Sequence, residues 1–292
     1  MIFKGVRVAL VTPFLNDEIN FPKLAELIEM QISNKTDAII ILGSTAECST
    51  LTDEEKIKII DFTLDVVNRR IPVIVGTGTP STKKTIELSK YATKKGADSL
   101  LIVTPYYNKP NQRGLYAHYE KIAKEVDNNI ILYNVPSRTN VNLSSDVVIE
   151  LTRFKNIVGI KEASGDLLQI NRIIQNTRKD FAVYSGNDDQ TLDILKLGGV
   201  GVISVIANFL PKEFGEIIHA YLDGDYEKCK EGFNKFRTLM QLLFIETNPV
   251  PVKEVMNLLG YDVGLTRLPL VPLSEKSKTI IKQCLIDLGL IK

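Results

Sequence analysis

The chain has 292 residues, 44% hydrophobic and 24% charged, which is long enough to bury one large core and typical of a globular protein. Its formal net charge of +1, with lysines and acids mixed along the chain, gives no field to steer a polyanion, so nucleic acid is not an expected partner. The longest uncharged stretch, residues 197–211, contains three glycines, an asparagine and a proline, short of the roughly 18 apolar residues of a membrane helix.

From the start of the chain, residues 8–11 form an apolar run too short for a signal-peptide core before Thr12-Pro13, so a cytoplasmic protein with no membrane partner is expected. Short apolar runs then recur at 6–11, 38–42, 73–75, 100–103, 130–133, 157–161, 182–185 and 200–205. Most are continuously apolar rather than alternating, as strands covered on both faces should be. Amphipathic stretches lie between them, such as 53–68, opened by Thr52 and Glu55 in a capping-box pattern. Eight strand-then-helix units predict an α/β fold, a parallel (β/α)8 barrel over residues 1–222. Later residues show helical patterns only and predict a C-terminal helical appendage, 223–292.

In such a barrel, reactive groups sit at the C-terminal ends of the strands and in the loops that follow. Gly43-Ser44-Thr45 follows the second predicted strand and Thr104-Pro105-Tyr106-Tyr107 the fourth. Tyr133 ends the fifth, ahead of Asn134-Val135-Pro136-Ser137-Arg138; Lys161 ends the sixth, and Ser185-Gly186-Asn187-Asp188-Asp189 follows the seventh. Lys161 is the local inconsistency, because a lysine after Ile157-Val158-Gly159-Ile160 loses hydration. Desolvation there favours the neutral, nucleophilic amine, the pattern of a Schiff-base lysine. The bland alternative pairs it with Glu162 or Asp166 at the rim. Tyr133 on the neighbouring strand can relay protons or simply pack.

Gly43-Ser44-Thr45 offers hydroxyls and backbone N–H groups to a small carboxylate, although such turns are common. Arg138 can clamp a second carboxylate with two parallel bonds. Tyr106 and Tyr107 also suit an interface between chains. Phosphate is disfavoured by Asp188 and Asp189, and Gly76-Thr77-Gly78-Thr79-Pro80-Ser81 lacks the last glycine of a dinucleotide loop. Cys48, Cys229 and Cys284 are scattered, and His118 and His219 are the only histidines, so no metal or cofactor site is expected. The residues alone point to a lysine-dependent enzyme acting on small oxo acids.

The motifs "ALVTPF", "GSTAE", "VTPYYNKP", "YNVPSRT", "IVGIKEASGD", "YSGNDD", "GVGVISV" and "ETNPVPVK" resemble the dihydrodipicolinate synthase family, from Gly5 to the C-terminus. That family lies within the pyruvate-dependent class I aldolase superfamily, which includes N-acetylneuraminate lyase. The resemblance implies a Schiff base of pyruvate on Lys161 and a proton relay of Tyr133, Ser44 and Tyr107, the last from a neighbouring subunit. It also implies that Thr45 and the Ile203 region hold pyruvate, that Gly186 borders its pocket, and that Arg138 anchors L-aspartate 4-semialdehyde. Condensation and ring closure in lysine biosynthesis by a cofactor-free homotetramer would follow.

The chain departs from the family pattern in three respects. Ser44 replaces a usual threonine and is also typical of the lyase branch. Ala46 replaces a usual glycine, and alanine disfavours positive φ. Pro80 and Lys84 stand where lysine-inhibited relatives carry Asn and Glu, so weak inhibition by lysine is expected. The rivals are a sialic-acid or 2-keto-3-deoxy-sugar-acid lyase, and a non-catalytic oxo-acid-binding paralogue.

Overall fold

The computed structural model describes residues 4–292; the first three residues of the barrel span expected from the sequence lie outside the described residues. Among the described residues, ten strands occur in chain order: β1 (Gly5–Ala9), β2 (Phe14–Leu15), β3 (Glu18–Ile19), β4 (Ala38–Ile41), β5 (Val73–Gly76), β6 (Ser99–Val103), β7 (Ile130–Asn134), β8 (Ile157–Glu162), β9 (Ala182–Ser185) and β10 (Gly201–Ser204). Eight close into a barrel in the order β1-β10-β9-β8-β7-β6-β5-β4. The chain is therefore an eight-stranded (β/α)8 barrel with a C-terminal helical region. The eight expected strands are all present, with ends shifted by a residue or two. Nearly every residue in them is buried, which explains why they read as apolar runs without alternation.

The chain divides into two compact units, Pro72–Ile203 forming the body of one, and Val6–Ile71 with Ser204–Lys292 the other. In the first, β5 to β10 pair in parallel, and the β7–β8 register sets Tyr133 beside Lys161 and Asn134 beside Glu162. Four of its helices start at side-chain caps: Ser81, Asn111, Ser144 and Asp166 each accept a backbone N–H from the turn they open. In the second unit, β1 pairs with β4, and the Asp53–Val67 helix opens on the expected capping box, Thr52 and Glu55 satisfying each other's backbone N–H groups.

The β2–β3 hairpin was not expected from the sequence. Two-residue strands carry no periodicity, and this one is fixed by distant chain, the Phe14 N–H donating to the Val263 carbonyl at 3.0 Å. The last helices are Pro211–Leu222, Tyr226–Leu242, Val250–Leu258 and Glu275–Asp287. Among the described residues, no helix is long and apolar enough to cross a membrane.

Candidate active site

Lys161 occupies the penultimate position of β8 and is 5% exposed. Its Nζ lies 4.4 Å from the centroid of the Tyr133 ring, itself buried. The equivalent register of the two residues on adjacent parallel strands produces that contact. Parallel neighbours at matched register point the same way from the sheet. A buried amine over an aromatic face is held electrostatically while its solvent is stripped away.

The surface alternative for Lys161 fails, because both candidate carboxylates are engaged elsewhere. Asp166 caps the Leu167–Asn176 helix, its Oδ1 accepting from the N–H groups of Leu168 at 2.9 Å and Gln169 at 3.1 Å. Glu162 follows Lys161 by one residue and so faces the opposite side of the strand. There it is fully buried, and its Oε1 accepts from the Ser164 N–H at 2.8 Å and Asn134 Nδ2 at 3.0 Å. Gln169 Nε2 donates to the other oxygen at 3.3 Å. Burial pushes the Glu162 pKa up, against the pull of the Ser164, Asn134 and Gln169 donors. Because every one of these partners donates, the geometry suits the ionised carboxylate, which only accepts.

Asn134 is the matching residue after Tyr133, and its Oδ1 accepts from the Leu143 N–H at 2.9 Å. The Glu162–Asn134 clasp therefore ties the ends of β7 and β8 behind the two inward residues. From the sequence, Asn134 had no role and Glu162 stood only as a possible partner for Lys161. Their signal was a polar residue one step beyond Tyr133 and Lys161, in strands otherwise buried on both faces.

Gly186 follows β9, and its N–H donates to the Glu162 carbonyl at 2.7 Å. A Cβ there would stand 2.7 Å from Ala163 Cβ, 3.0 Å from the Glu162 oxygen and 3.1 Å from Lys161 Cε. The glycine thus lets the β9 loop lie against the Lys161 side chain. Ile203, in β10, is fully buried. Arg138 sits on the one-turn helix Pro136–Thr139 and is exposed. That turn is pinned by the Thr139 hydroxyl, which donates to the Val141 carbonyl at 3.0 Å and accepts from the Val141 N–H.

Tyr107 is 92% exposed at φ +67°, so within one chain its ring does not pack on the Lys161–Tyr133 pair. Its neighbour Asn108 braces the loop, Nδ2 donating to the Pro80 carbonyl at 3.0 Å. Ser44 and Thr45, in the second unit, form the 3-10 turn Ser44–Ala46 after β4, with Ser44 half-buried and Thr45 buried. Among the described residues, no group of three or more His, Cys, Asp and Glu side chains is placed to hold a metal ion.

A closed parallel barrel with a desolvated lysine against a phenol at one strand end belongs to the class the sequence resembles, the class I aldolases. Within that class the comparisons are specific. The family model for the dihydrodipicolinate synthetase family matches residues 2–287, and the chain belongs to that family. It is 51% identical to a 4-hydroxy-tetrahydrodipicolinate synthase of Thermoanaerobacter sp. (strain X514), covering all of this chain and 98% of the relative. The solved dihydrodipicolinate synthase of Thermotoga maritima superposes with a TM-score of 0.97 at 46% identity, covering 100% of both chains. A structure described as a monomeric dihydrodipicolinate synthase variant superposes at 0.96 with 47% identity, covering 99% of this chain and 98% of that one.

Proposed function

We propose that this chain is a lyase that condenses pyruvate with L-aspartate 4-semialdehyde to 4-hydroxy-tetrahydrodipicolinate in lysine and diaminopimelate biosynthesis. The Lys161–Tyr133 pair carries the reading: a buried amine 4.4 Å from a phenol ring is suited to attack a keto carbon and to exchange protons with its neighbour. Lys161 Nζ adds to the pyruvate keto carbon, and loss of water leaves an iminium. Removal of a methyl proton gives the enamine, whose carbon attacks the aldehyde. The aldehyde substrate's own amine then displaces Lys161 and closes the ring.

In this reading Tyr133, Ser44 and Tyr107 move the protons, Tyr107 coming from a neighbouring chain of a homotetramer. Thr45 and Ile203 cradle pyruvate, with Gly186 at the edge of its pocket, and Arg138 clamps the aldehyde's carboxylate. Within the expected span 1–222 the described residues form the catalytic barrel, and 223–292 form the helical domain. A cytoplasmic location fits a biosynthetic enzyme of this kind. Free lysine inhibits weakly, since Lys84 repels the inhibitor's ammonium; half-inhibition at submillimolar lysine in a turnover assay contradicts this.

Borohydride reduction with pyruvate, followed by mass spectrometry, tests the chemistry. An adduct on Lys161 is expected, and an unmodified lysine sinks the aldolase reading in favour of a non-catalytic oxo-acid binder. Ser44 favours a second reading, a lyase of N-acetylneuraminate or 2-keto-3-deoxy-sugar acids, which Arg138 opposes. Turnover of pyruvate with a panel of aldehydes separates the two, and activity on sugar aldehydes alone overturns the synthase.

A further inference from the structure

The motif "ETNPVPVK" has no role in the chemistry above, yet it supplies two side chains that reach the Ser44–Ala46 turn. Asn248 Nδ2 donates to Thr45 Oγ1 at 3.0 Å. Lys253, 2% exposed on the Val250–Leu258 helix, donates from Nζ to Glu47 Oε1 at 2.7 Å. Glu47 caps the end of the turn, is 3% exposed and has φ +56°, a left-handed backbone that glutamate adopts only when its surroundings impose it. Its other carboxylate oxygen accepts from the Arg267 N–H at 2.9 Å. Lys253 Nζ also donates to the Leu265 carbonyl at 3.0 Å and lies 4.3 Å from the centroid of the Phe14 ring. The Thr12 hydroxyl, finally, donates to the Ala46 carbonyl at 2.8 Å.

Thr45, Ala46 and Glu47 are thus each anchored from outside the turn, while Ser44 at its start stays half-buried. A buried ion pair is a poor way to gain stability, because its desolvation offsets most of the attraction and an apolar pair of similar volume often serves as well. What such a pair does supply is a single geometry, since an unpaired charge in that place is strongly disfavoured. Burial pulls the Lys253 pKa down, against the pull of Glu47, as expected for an amine held where water does not reach.

We infer that Lys253, Glu47 and Asn248 are positioning residues: the C-terminal helical region holds the Ser44 and Thr45 hydroxyls in their working places through them. The inference rests on the assignment of Ser44 and Thr45 to pyruvate given under Proposed function. It makes the Val250–Leu258 helix part of the reaction machinery at one remove, through residues that act on the Ser44–Ala46 turn.

The decisive variant is the double substitution Glu47→Gln with Lys253→Met, which removes both charges and leaves no unpaired ion. We expect a folded protein with a melting temperature near that of the unaltered chain. It still forms the borohydride-trapped adduct on Lys161, but with the KM for pyruvate raised at least 10-fold and kcat lowered. The KM for the aldehyde, assigned to Arg138, stays within about twofold. Unchanged kcat and pyruvate KM in this folded variant overturn the inference and leave the pair a purely structural feature.

If the double variant does not fold, Asn248→Ala carries the test. Its effect on pyruvate KM should vanish when combined with Thr45→Val, because the two act through one hydrogen bond. Additive effects, or no effect of Asn248→Ala, overturn the inference. Absence of any Lys161 adduct in the unaltered chain removes the functional reading itself, an outcome distinct from wild-type kinetics in a chain that traps pyruvate normally.

Discussion

Gly186 is the residue whose replacement reports most directly on Lys161. A methyl group there meets Ala163 Cβ at 2.7 Å and the Glu162 carbonyl at 3.0 Å, both part of the β8 end and unable to swing aside as the tip of a long side chain can. Overpacking of this kind costs about 1–3 kcal/mol. The strain falls on the backbone that carries Lys161, and a misplacement near 1 Å lowers rates by roughly 100-fold. Gly186→Ala should therefore lose both stability and activity, with kcat down roughly 10- to 100-fold in steady-state assays. Full activity in a stable variant would show that the loop yields instead. Lys161 and Tyr133 were singled out in the sequence because strand ends in a barrel are predictable places, whereas Gly186 was named through the family resemblance. Glu162 was seen only as a possible partner for Lys161, because the choice between the two faces of a strand depends on register with its neighbours.

At the scale of elements, two helices of the first unit meet through a polar pair that titrates. Thr82 opens the Thr82–Lys95 helix, and its hydroxyl lies 2.9 Å from His118 Nδ1 on the Gln112–Glu125 helix. The ring packs edge-on against Tyr119 at 5.1 Å, and its Nε2 has no hydrogen-bond partner. Protonation would bury a second N–H without an acceptor, and desolvation pulls the His118 pKa down to about 4. The unfolded chain, with an ordinary histidine, binds the proton first as pH falls. The native state is thus favoured above about pH 6.5, and that advantage, about 3 kcal/mol, is lost progressively as pH drops through 4. Denaturant unfolding of His118→Gln and the unaltered chain from pH 7 to 4 measures it: their difference in stability should shrink by about that amount, and a pH-independent difference contradicts it.

The same scale shows which elements the sequence displays. The capping box at Thr52 was readable because it is local, both partners lying within one turn. The β2–β3 hairpin was not, since its two-residue strands carry no periodicity and the Phe14 N–H is held by Val263, far along the chain. The anchoring of Glu47 by Lys253 joins residues 206 apart in sequence, and both motifs were visible while nothing local linked them.

For the whole molecule, the revealing residue is Tyr107. A phenol 92% exposed on a left-handed backbone carries conformational strain without packing in return, and Leu168 is also exposed at 83%. If Tyr107 serves the site of a neighbouring chain, two defective chains can repair one another. Tyr107→Phe removes the hydroxyl but leaves Lys161; Lys161→Ala removes the amine but supplies an intact Tyr107. Each variant alone should have at most a few per cent of the activity, given the 100-fold or larger contributions of general acid–base and covalent groups. Co-expressed in equal amounts and paired at random, half of the pairs are mixed, and each mixed pair holds one site with both Lys161 and a neighbour's Tyr107. About a quarter of full activity should then return, as symmetry between the two chains of a pair requires. No mixed assembly restores a site if Tyr107 acts within its own chain, so activity no higher than the average of the two variants would place the relay inside one chain and remove the need for a neighbour.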